Sequence, residues 1–459
     1  MPQSVAQDDA NAKIYVVNVP VMASHRLLRL RAALDWPTLT KILSDHLRGA
    51  GCNVDGVLRG RRMDVNPYVP MIVLMLVMRL NLRQMEDYLA ENAVGRLFMG
   101  LENSPEIQVR DHSTIGRIVQ ALGAAGFEAL NAVIVQHAVL MGFANTTTLS
   151  ADTTAQELAI GYPHEAGILR GLAARCLRAY TRLRKEGKRK IDDIKEQALG
   201  VVAKAKAYHL FAKTREQKNQ VLQSMVLQTQ RLLLASKDVI ERCSAFCDAN
   251  IQSAVHVLQN MSDVGAVLLP QIKSWMKTGK VAAGKILHAG LPMARSIVRN
   301  KPGKKVEFGI QYLIAAVGGG YLLGRSIVGN VGENQMPQRA LALYRETFGR
   351  AATPDLFIYD RGGWSQANVA LLKKEGVKKV GVQPRGRARY RVHGTDRDLV
   401  MKERSAIEGK IGTLKTAYGM NKPKERLKET VLAVGPRSIT AFNLNKMMKD
   451  IITIEAAAA

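Results

Sequence analysis

The sequence predicts an α/β protein: a mixed sheet interrupted by a long helical insertion and preceded by an all-helical region. Three observations predict it. Apolar residues recur at helical spacing over 67–143. Residues 166–300 carry almost no strand signal and few prolines. Short β-prone runs alternate with helical periodicity from 304 to the helix around 408.

Residues 1–66 are mixed, with a loop-like "GAGCNVDG" and a basic "RGRR" at 59–62. "NPYVP" precedes the first helix of a helical domain over 67–144, read as a candidate DNA-gripping unit, and "DHSTIGRI" offers Asp111 or Ser113 as an N-cap. "NTTTLSADTT" reads as a strand with Asp152 at its carboxyl end. In the helical insertion 166–300, Leu222, Met225, Val226, Leu233, Val239 and Ile240 trace an apolar stripe. Its first part is dense in Arg and Lys, as a solvated face or a phosphate-tracking surface requires.

Strand signals return at 304–329, where Gly318, Gly319 and Gly320 suit a hairpin. No Lys-Ser/Thr helix start follows, which argues against a nucleotide-binding loop. A helix over 336–349 leads to a short apolar strand terminating at Asp360. "SQANVALLKKEG" is a helix closed by Gly376, "KKVGVQP" is another strand, and the helix carrying Glu408 follows. Residues 436–459 read as a C-terminal helix and tail. Without the insertion, this is the β-β-β-α-β-α-β-α order of an RNase H-like fold, divided between 145–165 and 301–435.

In that order Asp152, Asp360 and Glu408 occupy the first strand, the end of the fourth and the helix after the fifth, and can converge at one sheet edge. Hard oxygen ligands of this kind suit Mg²⁺ or Mn²⁺. Two ions about 4 Å apart would activate a nucleophile on one side of a phosphodiester and stabilise the leaving oxygen on the other. No histidine base is required, and His164 and His393 read as structural or DNA-facing.

A formal net charge of +27 points to a polyanionic partner, nucleic acid before membrane. The apolar run "YVPMIVLMLVMRL" is too short to span a bilayer before Arg79, and the N-terminus lacks the apolar core of a secretory signal, so the expectation is a cytoplasmic protein with no membrane partner. Four scattered cysteines fit a reducing compartment. Cys243 and Cys247, four apart with no nearby histidine, read as core residues rather than a zinc site.

"SADTTAQE", "KKVEFG", "YDRGGWS" and "ERSAIEGKIGTLKTAYGMNK" resemble the DDE transposases of bacterial insertion sequences, over roughly residues 65–445. In one large group of these enzymes the third acid lies in a tyrosine, arginine, glutamate, lysine signature with two, three and six residues intervening. Arg404, Glu408 and Lys415 match that spacing, whereas the tyrosine position is Met401. The resemblance implies Asp152, Asp360 and Glu408 as the catalytic, metal-binding triad, with two Mg²⁺ or Mn²⁺ ions, and Arg404 and Lys415 holding DNA phosphates. It also implies cleavage at terminal inverted repeats, strand transfer into target DNA, a homodimer in the synaptic complex, and action on the bacterial nucleoid. Arg361 is expected as a further DNA contact. Arg385, Arg387 and Arg389, interleaved with Tyr390, suit a loop along a phosphate backbone. Trp364 either packs beneath the active site or stacks on a flipped base. The competing expectations are a nuclease without strand transfer and a DNA-binding repressor derived from a transposase.

Overall fold

The computed structural model describes residues 24–57, 62–100, 111–188, 191–301, 304–329, 331–384 and 392–458. The chain is mixed α/β with a mixed sheet. It begins with α1 (Arg26–Ala33), α2 (Trp36–Gly49), α3 (Tyr68–Met78), α4 (Leu82–Glu91), α5 (Ala93–Met99) and α6 (His112–Leu140). Side chains fix where these helices start. Asp35 accepts from the Thr38 N–H, Asn81 and Gln84 form a reciprocal capping box, and Asp111 caps α6 by accepting from the Ser113 N–H. The apolar run that is too short to span a membrane becomes α3, buried from Tyr68 to Val77. Among the described residues one helix, α6, is long and apolar enough to cross a membrane. It bends at Gly123 (φ 58°, ψ −167°) and packs along α2 and α14 (Lys428–Ala458).

The sheet comprises β1 (Asn145–Glu157), β2 (Arg295–Lys301), β3 (Lys304–Gly318), β4 (Leu322–Ile327), β5 (Leu356–Tyr359) and β6 (Lys379–Val382). Its order is β2-β3-β1-β5-β6, with β4 pairing on β3 beyond β2. The first three pairings of β3 are antiparallel, whereas β1–β5 and β5–β6 are parallel. Two expectations are corrected here. Asp152 does not end its strand: β3 is long enough to pair with β1 as far as Glu157↔Gly309, so Asp152 lies mid-strand opposite Ile314. The stretch 166–300 is not helical throughout, because its end forms β2, stabilised by pairing with the amino-terminal half of β3 rather than by a pattern of its own. The expected hairpin stands at 318–322. Gly319 (φ 88°) and Gly320 (φ 83°) take left-handed conformations, and a Cβ on Gly319 would lie 2.4 Å from the Phe143 carbonyl oxygen.

The helices α7 (Glu165–Lys185), α8 (Asp192–Leu210), α9 (Arg215–Cys243) and α10 (Ala249–Thr278) surround an apolar core of their own. Leu222, Met225, Val226 and Val239 of the predicted stripe are buried in it, with Leu233 and Ile240 at its margin. Cys243 is buried there, but Cys247 is exposed, contrary to expectation, because α9 ends at Cys243 and the chain turns outward before α10.

His164 caps α7: its Nδ1 accepts from the Gly167 N–H at 3.0 Å. Gly167 is small enough for the ring to lie against it; a Cβ there would meet the imidazole at 2.7 Å. Burial, then the neighbouring His209, holds the His164 pKa below its ordinary value of 6.5. The folded state therefore binds this proton less tightly than the unfolded chain. The stabilisation is present above the ordinary histidine range and is lost as pH falls through the lowered folded value. Protonation also removes the capping acceptor, worth about 1 kcal/mol. Asn caps without titrating, so the thermal midpoint of wild type should fall relative to His164→Asn between about pH 7 and about pH 5. Parallel melting curves across that range would exclude the titrating cap.

The remaining helices are α11 (Met336–Phe348), α12 (Gln366–Lys374) and α13 (Thr395–Thr416). Alternation along the strands divides two cores. Leu149, Ala151, Leu313, Ala315, Val317, Phe357 and Tyr359 join α1–α6 and α11 on one side. Ile310, Tyr312 and Ile314 pack with Ile407, Ile411 and Leu414 of α13 on the other, and Leu356 and Ile358 pack there with Val400.

Candidate active site

Parallel pairing of β1 with β5 joins Thr148↔Leu356, Leu149↔Phe357 and Ser150↔Ile358. The offset is 356 − 148 = 208, and 360 − 152 is also 208. The pairing stops at Ser150↔Ile358; Asp152 lies two residues further along β1, and Asp360 follows directly on the end of β5. Asp152 belongs to the even-numbered face of β1, opposite Ala151, and α13 packs against β1 and β5 with Val400 on Leu356 and Ile358. The sheet thus sets the strand bearing Asp152 beside the strand that leads into Asp360.

From α13, the Arg404 Nη2 donates to Asp360 Oδ1 at 2.5 Å. Both side chains retain access to solvent, at 28% and 48% exposure, so the pair rigidifies the site more than it stabilises the fold. Asp152 Oδ1 accepts from the Thr153 N–H at 2.7 Å. Ser150 Oγ, two residues earlier on the same face, is buried with no hydrogen-bond partner among the described residues. Glu408 is exposed on α13, one turn beyond Arg404. Asp152, Asp360 and Glu408 do not all come within 4.8 Å of one another; among the described residues Glu86, Asp111 and His112 at the start of α6 do.

The predicted DNA-contacting residues are dispersed around this centre. Arg361 Nε donates to Gln383 Oε1 at 2.8 Å, linking the end of β5 to the segment after β6. Arg385, Arg387 and Arg389 lie outside the described residues. Trp364 is half-buried against the main core and lines a cavity of about 300 Å³ with Val382 and the exposed His393. Lys415 is half-buried in the last turn of α13.

Sequence reading missed Glu333, in a 3₁₀ turn (Glu333–Gln335) between β4 and α11. The Thr153 hydroxyl donates to its Oε1 at 2.8 Å, and the Tyr359 hydroxyl donates to its Oε2 at 2.9 Å. These partners immediately follow Asp152 and precede Asp360, so one carboxylate ties the two acid-bearing strands together from the opposite face. Burial, then Glu333, with Asp152 contributing, pushes the Tyr359 phenol well above its ordinary pKa, which keeps it a donor. Nothing in "GENQMPQ" marks this role, because both partners are remote in sequence. Glu333→Ala should destabilise the protein by about 1–3 kcal/mol, since the buried Tyr359 hydroxyl loses its acceptor, whereas Glu333→Gln retains one and should cost less. Urea unfolding of both variants checks this order; equal losses would exclude the tether.

With this geometry established, comparison with known families bears on the carboxyl-terminal part. Residues 357–445 match the family described as transposase DDE domain. That match supports a DDE-type transposase. It takes in Asp360, Arg404, Glu408 and Lys415, and leaves Asp152 to the pairing of β1 with β5. No curated protein and no solved structure matches the chain.

Proposed function

We propose that the chain is a DNA transposase. It binds the terminal inverted repeats of an insertion sequence and catalyses metal-dependent cleavage and strand transfer through Asp152, Asp360 and Glu408. The observation carrying this reading is the parallel pairing of β1, which bears Asp152, with β5, which runs into Asp360, where Arg404 of the helix that also carries Glu408 meets Asp360. The sheet order β4-β3-β1-β5-β6, with β3 antiparallel to β1 and β5 parallel to it, supports an RNase H-like catalytic domain.

All three proposed ligands are carboxylates, and the Arg404 guanidinium on Asp360 marks that position as one accepting positive charge. Such a donor set fits Mg²⁺ or Mn²⁺. Bound there, two divalent ions would supply nucleophile activation and leaving-group stabilisation. The chain's own groups orient and neutralise. Asp152 is held on β1 and Asp360 at the turn that follows β5, the neighbouring strand, and Glu408 approaches from solvent on α13. Arg404 turns from Asp360 toward a substrate phosphate, with Lys415 three turns further along the helix. Arg361, Trp364 and the arginines 385, 387 and 389 extend the DNA contact. A homodimer holding two DNA ends on the bacterial nucleoid completes the reading.

The test is incubation of the protein with a labelled duplex carrying the element's end, with Mg²⁺, Mn²⁺ or EDTA, followed by a strand-transfer assay. Metal-dependent cutting at the end with joining to target supports the proposal. Cutting without joining reduces it to a nuclease, and binding without cutting reduces it to a DNA-binding derivative.

A further inference from the structure

A cleft of about 760 Å³ opens between the α3–α4 corner and the connection from α13 to α14, away from Asp152 and Asp360. Arg79, Arg83, Lys422 and Lys424 line it. Among the described residues these four form no ion pair. The acid in the lining, Glu425, is already bonded to Arg437 at 2.5 Å. The cleft therefore carries uncompensated positive charge.

Its backbone provides a second, independent observation. Among the described residues, the non-glycine residues with positive φ are Arg79 (φ 55°) and Lys422 (φ 49°), and both line this cleft. Arg79 ends α3 in the left-handed conformation that helix termini ordinarily give to glycine. A basic side chain at either position thus sits on backbone that carries strain. Arg79 is further held in place: its guanidinium lies 5.8 Å from the Tyr418 ring centre, and its Nη1 reaches the Ala417 carbonyl at 3.4 Å. A guanidinium has further N–H donors for an anion. Lys422 is anchored through its backbone N–H, which donates to the Glu157 carbonyl at 3.0 Å at the end of β1.

We infer that this cleft binds the sugar-phosphate backbone of duplex DNA, an inference that rests on the transposase reading above. The helix α13 joins the two places. From Arg404 to Thr416 is twelve residues, about 18 Å of helix. At about 3.4 Å per base pair, the cleft meets the duplex roughly five base pairs from the cut. It clamps one flank of the scissile phosphate.

The test measures binding of a fluorescein-labelled DNA duplex to the full chain by anisotropy across a salt series, for wild type, Arg79→Gly, Lys422→Gly and the double variant. Glycine removes the cation and relieves the strain together, so thermal midpoints should hold or rise. Each single variant should flatten the slope of log K against log[salt] by about 0.9, and the double variant by about 1.8, roughly 30-fold weaker binding near 0.15 M salt. Unchanged slopes in a protein that binds and cuts DNA would overturn the clamp and leave the transposase reading intact. Wild type that binds no duplex would overturn both. Weakening confined to an RNA duplex, or an equal effect of inorganic phosphate on the variants and wild type, would also overturn the clamp.

Discussion

Asp152→Asn, Asp360→Asn and Glu408→Gln should each lower metal-dependent cleavage by roughly 10³-fold or more, while duplex binding persists. The size follows from the work asked of the ligands: several kcal/mol of charge stabilisation at the transition state, with each 1.36 kcal/mol equal to about tenfold in rate. Folding should be little affected. Asn at 152 keeps the Oδ1 acceptor for the Thr153 N–H, and neutralising Asp360 weakens a solvent-accessible ion pair with Arg404 worth at most about 1 kcal/mol. Cleavage of a labelled duplex, with anisotropy and melting curves as controls, separates chemistry from binding and stability. Wild-type cutting by Glu408→Gln, alongside inactive aspartate variants, would remove Glu408 from the triad. It would direct attention to half-buried Glu403 on the same helix.

The second large effect is structural. Asn443 on α14 donates to the Leu322 carbonyl and to Asn131 Oδ1, both at 2.7 Å, and accepts from the Leu322 N–H at 2.9 Å. Asn131 on α6 donates to the same carbonyl at 2.9 Å. Both asparagines are buried, so α6, α14 and the start of β4 are joined by a satisfied polar network inside an apolar core. Asn443→Leu would leave the Leu322 N–H and Asn131 Oδ1 desolvated and unpaired, at a cost of about 3–5 kcal/mol. The urea midpoint should fall accordingly, monitored by far-ultraviolet circular dichroism. A loss under about 1 kcal/mol would mean that water enters and replaces the amide.

Much of this architecture was legible from local pattern. Asp111 and the run after it announce the start of α6, the triple glycine announces the β3–β4 turn, and the stripe through Leu222 and Met225 announces α9. In each case the signal and its structural consequence lie within a few residues, where side-chain periodicity and capping chemistry operate. The spacing of Arg404 and Glu408 also belongs to one helix and could be read without a fold. Strand β2 escaped notice because pairing with β3 defines it, and Asp152 was mistaken for a strand end because the length of its partner determines where β1 stops.

From the sequence alone come the mixed α/β class, the basic character, the three acids and the helix that carries the last of them, since each depends on residue type and short spacing. Tertiary structure alone decided that the strand bearing Asp152 runs parallel to the strand leading into Asp360, that Glu333 ties these two strands, and that Arg79 and Lys422 line one cleft. Those relations join residues dozens to hundreds of positions apart. Hydrogen-bonded register and core packing bring them together, and no local propensity encodes which distant strand or helix will be the neighbour.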